Sequence, residues 1–349
     1  MILFDLFITG IMVSLACALP GLWLMLRGMS MLSDALTHSV LLGIVITYLI
    51  VRDIASPWML VGAVVSGVIT ALLIERLQQR KVSADAAVGL VFAGMFSLAI
   101  ILITQFASDT HLDLDAVLLG EIVFAPFDRM VIAGIDLGPR AFVMNAIVFG
   151  LSVCFIWIFW KELVFTTFDA TSALLAGFSP AIISIALVVL SSLTVVTAFD
   201  AVGAILVVAF MTASPAGAFL LTYRIKTMVW LTMALAISSS LIGLWGAMWL
   251  DVSVSGAMAT AAGIQFAVIW LFAPKRGLIA HALERHTLRH EVQLLAHLMH
   301  ISSHQRDDLP QLVPSSLALV HELEQRGWLQ NGKITTAGYD RLQSSGVRH

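Results

Sequence analysis

Two ionisable side chains, Asp34 and His38, lie four residues apart in an otherwise apolar stretch. This spacing places both on one face of a helix. An Asp at the centre of a bilayer costs about 2.5 to 3.5 kcal/mol on insertion scales, so such a pair is expected to face the bundle interior and serve a transported species. A carboxylate oxygen and an imidazole nitrogen also suit first-row divalent metals. The alternative is that Asp34 caps the cytoplasmic end of the helix it belongs to, the second of the membrane spans predicted below, and that His38 hydrogen-bonds to a neighbour.

The composition places these residues in a membrane protein. Of the 349 residues, 59% are hydrophobic and only 12% are charged, about half the charged share of an average soluble domain. Apolar runs of about 20 residues, enough to cross the hydrocarbon core, recur as far as Phe272 and are too long and continuous for barrel strands. We therefore predict an all-α polytopic fold with about nine transmembrane helices, at 6–26, 35–52, 57–76, 86–105, 141–160, 181–198, 203–221, 229–250 and 254–273.

The basic residues between these spans predict an orientation. With the N-terminus outside, nine Lys and Arg side chains fall in the cytoplasm and three, Arg52, Arg129 and Arg140, fall outside, as the positive-inside rule requires. The long connection 105–140 then faces outward with six acidic residues. It is either a solvated loop on the rim of the bundle or a vestibule that attracts cations.

The composition changes after residue 274, because residues 275–349 hold nine of the 19 Lys and Arg and eight of the 10 His. We predict a transmembrane domain over 1–274 and a small cytoplasmic domain over 275–349. Helices at 290–301 and 315–326, followed by a hairpin at 328–334 around Asn331-Gly332, are typical of a winged helix. Nucleic-acid binding is not favoured, since seven acidic residues balance the nine basic ones, and we expect a docking or regulatory role.

Histidines recur at near-helical spacing in this C-terminal part. They are His286, His290, His297, His300 and His304. Imidazoles aligned in this way can bind a metal. A His-rich amphipathic surface helix has the same pattern, so the two interpretations stay open.

The window from Arg27 to Gly43 resembles the motif of metal-uptake ABC permeases of the manganese, zinc and iron type. In that family a basic residue and Met-Ser precede a sequence of the type Gly-Asp-Ala-Ile-Ser-His-Ala-Val-Leu-Pro-Gly. The matching residues are Asp34, Ala35, His38 and Gly43, and the differing ones are Ser33, Thr37 and Leu42 in place of Gly, Ser and Pro. The resemblance implies that Asp34 and His38 contribute to the metal path.

Further segments resemble the same family. The segment from Phe168 to Gly177 is similar to its cytoplasmic Phe-Asp-Pro-x-x-Ala-x-x-x-Gly element, with Ala170 in place of Pro. The resemblance implies that this segment docks onto the ATPase through Phe168, Asp169, Ala173 and Gly177; otherwise it is an ordinary loop. Residues 200–218 and 119–122 are similar to two further family elements, and the C-terminal part resembles the winged-helix part of metal-dependent repressors.

The family resemblance implies a subunit of a larger assembly. The chain contains no Gly-x-x-x-x-Gly-Lys-Ser/Thr sequence with which to bind ATP. It would be the non-enzymatic permease of an importer for manganese or zinc, with iron possible, in a bacterial inner membrane. Its partners would be a cytoplasmic ATPase, a second permease of the same or a related chain, an external metal-binding protein and membrane lipid, and it would hold no cofactor besides the transported metal. The alternative is a gradient-driven secondary transporter in which Asp34 and His38 form an ion or proton relay.

Overall fold

A computed structural model describes most of the chain. The described residues are 2–53, 56, 58–80, 82–106, 122–132, 135–274, 276–280, 291–296, 298–299, 301, 317–330 and 333–344. Residue contacts divide the chain into two compact units, Met1–Leu271 and Phe272–His349.

The first unit is helical. Its helices are α1 (Ile2–Leu26), α2 (Ser30–Val51), α3 (Trp58–Gln79), α4 (Ala84–Phe106), α5 (Arg140–Ile158), α6 (Trp160–Phe168), α7 (Ala170–Leu175), α8 (Pro180–Val202), α9 (Ala204–Leu221), α10 (Ile225–Leu250) and α11 (Val254–Phe272). Among the described residues, nine of these helices are long and apolar enough to cross a membrane, all except the short α6 and α7. The prediction of a polytopic helical protein with about nine spans is confirmed.

Several helix boundaries differ from the predicted spans by a few residues, among them those of α2 and α5. The second helix begins at Ser30 rather than at residue 35, because the polar residues before Ala35 still adopt helical backbone. The fifth span ends at Ile158, and a separate helix begins at Trp160. Hydropathy alone places the end of this span later, because the apolar run continues through Phe159 and Trp160 to Lys161.

The first helix lies at the centre of the bundle. It contacts α5, α8, α9 and α10, and Cys17, Leu22 and Trp23 on it are fully buried. Its Gly21 meets α9 so closely that a Cβ there would overlap the carbonyl oxygen of Met211. Small residues let membrane helices approach to this distance, so α1 and α9 form a tight pair.

A second group of helices surrounds α2, which packs against α3 and α4. At the α2–α3 contact, a Cβ on Gly43 would overlap the carbonyl oxygen of Gly62. Residues such as Leu90 of α4 and Ile264 of α11 stay exposed on the outside of the bundle. In a protein of this composition such exposed apolar faces are suited to lipid.

A short hairpin, β1 (Arg129–Ile132) paired antiparallel with β2 (Ile135–Pro139), precedes α5. The guanidinium of Arg129 donates to the carboxylates of Asp136, at 2.6 Å, and of Asp5 in α1, at 3.0 Å. The hydrogen bond from Arg129 holds the pKa of Asp136 below its usual value. This pairing joins the hairpin to the start of the first helix. Most of the predicted acidic loop, residues 107–121, lies outside the described residues, including Leu119, Gly120 and Glu121.

The second unit contains α12 (Leu317–Gln325), a hairpin of β3 (Leu329–Gln330) and β4 (Lys333–Ile334), and α13 (Thr336–Ser344). Its described core consists of Leu294, Leu298, Leu323, Leu329 and Leu342. The winged-helix fold and the cytoplasmic location stay predictions, since residues 281–290 and 302–316 lie outside the described part. The same holds for the histidine site, because all five predicted ligands are outside it.

Candidate metal path and coupling segment

The predicted metal ligands lie inside α2. Asp34 and His38 share one face of this helix, and the His38 Nε2 atom is 3.7 Å from the Asp34 Oδ1 atom. The residue that precedes the helix is Met29, whose side chain makes no capping hydrogen bond. The alternative that Asp34 caps this helix is therefore wrong, because the helix begins four residues earlier.

The imidazole of His38 is held by aromatic contacts rather than by hydrogen bonds. Its ring centroid lies 5.0 Å from that of Phe92 and 5.4 Å from that of Phe96, both on α4. Its Nδ1 atom is buried and has no hydrogen-bond partner in the described part of the chain. The 3.7 Å separation from Asp34 is also too long for a hydrogen bond. The aromatic pair thus orients the imidazole and leaves its nitrogens uncommitted.

Neighbouring hydroxyl groups are already used by the backbone. Thr37 donates to the carbonyl oxygen of Asp34 at 2.6 Å, and Ser66 of α3 donates to that of Ser39 at 2.6 Å. These bonds satisfy buried hydroxyls that would otherwise be costly. The carboxylate of Asp34 on the same helix is half-exposed.

The pair alone is an incomplete metal site. Among the described residues, no three His, Cys, Asp or Glu side chains are grouped so that they could hold a metal ion. Protein-bound zinc has about four ligands, and manganese commonly has six. One carboxylate and one imidazole can therefore supply only part of the coordination shell.

The predicted coupling segment is a short helix flanked by two longer ones. The carboxylate of Asp169 caps α7 by accepting hydrogen bonds from the amide and the hydroxyl of Ser172. These bonds lower the pKa of Asp169. After α7 the backbone turns at Gly177, whose φ of +86° suits glycine.

The four predicted coupling residues have different surroundings. Phe168 is 62% exposed, whereas Ala173 is fully buried inside this chain. Leu174 and Leu175, which the sequence did not single out, are 61% and 87% exposed. Phe168, Leu174 and Leu175 are thus the apolar side chains that this segment presents, and they are here named the coupling face. A six-residue helix is too short for a hydropathy period to reveal such a face.

The segment 200–218 forms a break and the helix that follows it. Gly203 has a φ of +78° and a ψ of 169° and separates α8 from α9. Other residues rarely adopt this backbone conformation. Pro215 lies within α9 and is buried. The family-like residues of this segment therefore shape the backbone and the helix contacts.

The fold defines a multi-pass helical membrane protein with two short helices, α6 and α7, between its fifth and sixth apolar spans. The sequence model of the ABC 3 transport family matches residues 1–273, and the chain belongs to this family.

Relatives of known name share most of this length. The manganese transport system membrane protein MntD of Bacillus subtilis (strain 168) is 40% identical over 283 residues, which are 81% of this chain and 96% of that protein. The zinc transport system membrane protein TroD of Treponema pallidum (strain Nichols) is 43% identical over 297 residues, 84% of this chain and 80% of that protein. The solved structure of PsaBC from Streptococcus pneumoniae in complex with Fab matches with a TM-score of 0.64 and 28% identity, covering 78% of this chain and 92% of that one.

Proposed function

We propose that the chain is the permease subunit of an ATP-driven importer that carries a divalent transition metal across a bacterial inner membrane. The observation that carries the proposal is the Asp34 and His38 pair on one face of α2 in a member of the ABC 3 transport family. Relatives of similar identity are named for manganese and for zinc. A mixed oxygen and nitrogen pair suits both metals, and iron as well.

The pair would act by replacing part of the hydration shell of the ion. Asp34 supplies charge, and His38 supplies a nitrogen whose orientation Phe92 and Phe96 fix. The remaining ligands would come from water and from a second permease, the same chain or a paralogue. Partial coordination favours passage, because an ion held by a full set of protein ligands leaves slowly.

Energy would come from a separate cytoplasmic ATPase that binds the coupling face. In this proposal Asp169, Ala173 and Gly177 support the short helix, while Phe168, Leu174 and Leu175 contact the partner. The N-terminus then lies outside, where an external protein delivers the metal. The chain itself catalyses no covalent step.

The test is uptake of manganese and zinc into vesicles that hold this chain with its ATPase and binding protein. We expect uptake to require ATP inside the vesicle and to be abolished by an ATPase variant that cannot hydrolyse ATP. Collapse of the proton and sodium gradients should leave the rate unchanged. Uptake that follows the gradients and continues without hydrolysis would instead establish the secondary-transporter alternative.

The coupling face provides a separate prediction. Replacing Leu175 by Ser should lower ATP-driven uptake at least about tenfold, since burial of a leucine against a partner stabilises a contact by about 1.5 to 3 kcal/mol. The matched control is Thr171→Ser, a conservative change at an exposed position of the same helix. Co-purification of the ATPase with each variant measures docking directly. Equal binding and equal uptake in both variants would remove Leu175 from the interface.

A further inference from the structure

A single arginine side chain ties together three separate parts of the bundle. Arg27 lies in the short link between α1 and α2. Its Nε atom donates to the hydroxyl of Thr167 at 3.2 Å and its Nη2 atom to that of Thr166 at 2.7 Å, both near the end of α6. Its Nη1 atom donates to the hydroxyl of Ser184 on α8 at 2.6 Å. We name these four side chains the Arg27 clamp.

The acceptor hydroxyls are themselves held in place. Thr166 donates to the carbonyl oxygen of Glu162 at 2.7 Å, and Thr167 donates to that of Leu163 at 2.6 Å. With their hydrogens directed into α6, both oxygens are free to accept from the guanidinium. The end of α6 therefore presents a preorganised pair of acceptors to Arg27.

Among the residues that the structure describes, no carboxylate pairs with the charge of the clamp. Arg27 is partly buried, and burial lowers its pKa, although an arginine stays charged in proteins. Its three described side-chain partners are neutral hydroxyls. Hydrogen bonds from a guanidinium to neutral oxygens are weaker than those to carboxylates. A partly desolvated cation held in this way can be released during a conformational change more readily than a buried ion pair.

The clamp lies between the coupling segment and α2, the helix that carries Asp34 and His38. Thr166 and Thr167 come directly before Phe168, and Ser184 lies near the start of α8, so the clamp binds both sides of the coupling segment. On its own side, Arg27 is connected through Gly28 and Met29 to α2. Asp34 follows Arg27 by seven residues.

We infer that Arg27 is a positioning residue that transmits movement of the coupling segment to the helix that carries Asp34 and His38. The inference rests on the proposed function, in which an ATPase acts on this segment. Movement of α6 and α8 would pull on the guanidinium and hence on the start of α2. Loss of the clamp uncouples hydrolysis from transport rather than preventing either partner from binding.

The test measures metal ions transported per ATP hydrolysed in the full reconstituted complex. In Arg27→Met, and in the triple variant Thr166→Val, Thr167→Val and Ser184→Ala, we expect this ratio to fall at least tenfold. ATP hydrolysis and co-purification of the ATPase should stay within twofold of the wild type. Arg27→Lys should be intermediate, because an ammonium group lacks the planar fork that reaches all three hydroxyls.

A further variant combines Arg27→Met with the triple change. If Arg27 acts through these hydroxyls, the combined variant should transport as many metal ions per ATP as either parent variant. Each parent variant already lacks the whole interaction, so combining them removes nothing more. An unchanged ratio in assembled Arg27→Met complexes would overturn the inference. If Arg27→Met fails to assemble, the test rests on the near-isosteric triple hydroxyl variant. A wild-type ratio of metal ions to ATP in that variant would also overturn the inference. A wild-type complex that transports metal without ATP would count against the proposed function itself.

Discussion

Replacing Asp34 by Asn, or His38 by Gln, is expected to reduce ATP-driven metal uptake about a hundredfold or more. Each change roughly keeps the size of the side chain but removes the negative charge of the carboxylate or the ring nitrogen of the imidazole from the proposed path. Even the loss of a residue that only hydrogen-bonds to a metal ligand typically lowers metal affinity or activity by about 10 to 100-fold. Neither residue makes a strong side-chain hydrogen bond in the described structure, so the bundle should stay folded. Initial rates of radiolabelled manganese and zinc uptake measure the effect.

The control for the carboxylate is Asp85→Asn. Asp85 lies in the first turn of α4 and is exposed. Its replacement by Asn therefore removes a negative charge near the start of a helix but leaves Asp34 and His38 unchanged. We expect uptake close to wild type in this control. Uptake within twofold of wild type in both Asp34→Asn and His38→Gln would remove the pair from the path and leave it a role in helix contacts.

Replacing Gly43 by Val should lower the stability of the first unit. A Cβ on Gly43 would overlap the carbonyl oxygen of Gly62, which is backbone and cannot rotate away. The two helices must then separate, and overpacking of this kind costs at least about 1 to 3 kcal/mol. Thermal unfolding of the purified protein in detergent, together with its yield in the membrane, measures the loss.

Gly94→Val is the matched control for this change. Gly94 lies in α4, and a Cβ there would meet nothing within 4 Å. Valine at this position adds the same volume and the same β-branching to an apolar helix. A melting midpoint for Gly43→Val equal to that of Gly94→Val would show that the α2–α3 contact tolerates a wider spacing.

Hydropathy was sufficient to find the membrane helices. The thickness of the hydrocarbon core sets a minimum length of about 20 apolar residues. Each span is therefore a continuous apolar stretch that can be recognised in the sequence. Hydropathy was less exact at the end of the fifth span, where the helix ends at Ile158 but the apolar run continues through Trp160. At this point the boundary between the two helices is set by a turn of the backbone and not by the edge of the hydrocarbon core.

The predicted functional residues were determined by the sequence to different degrees. The shared face of Asp34 and His38 follows from their spacing, because helix geometry is the same in every fold. The sequence left open whether Asp34 caps α2, since this depends on where the helix begins. In the coupling segment, the family-like pattern named Phe168 and Asp169 but not Leu175, whose exposure depends on how α7 lies on the bundle.

The sequence by itself thus determined the membrane class, the number of apolar spans and the shared helix face of Asp34 and His38, because each depends on residues close together in the chain. Only the tertiary structure decided which side chains surround that pair and what Arg27 touches. Phe92 and Phe96 meet His38 from another helix. Thr166 and Ser184 lie 139 and 157 residues from Arg27. Contacts at such separations arise from helix packing, and no local pattern of residues encodes them.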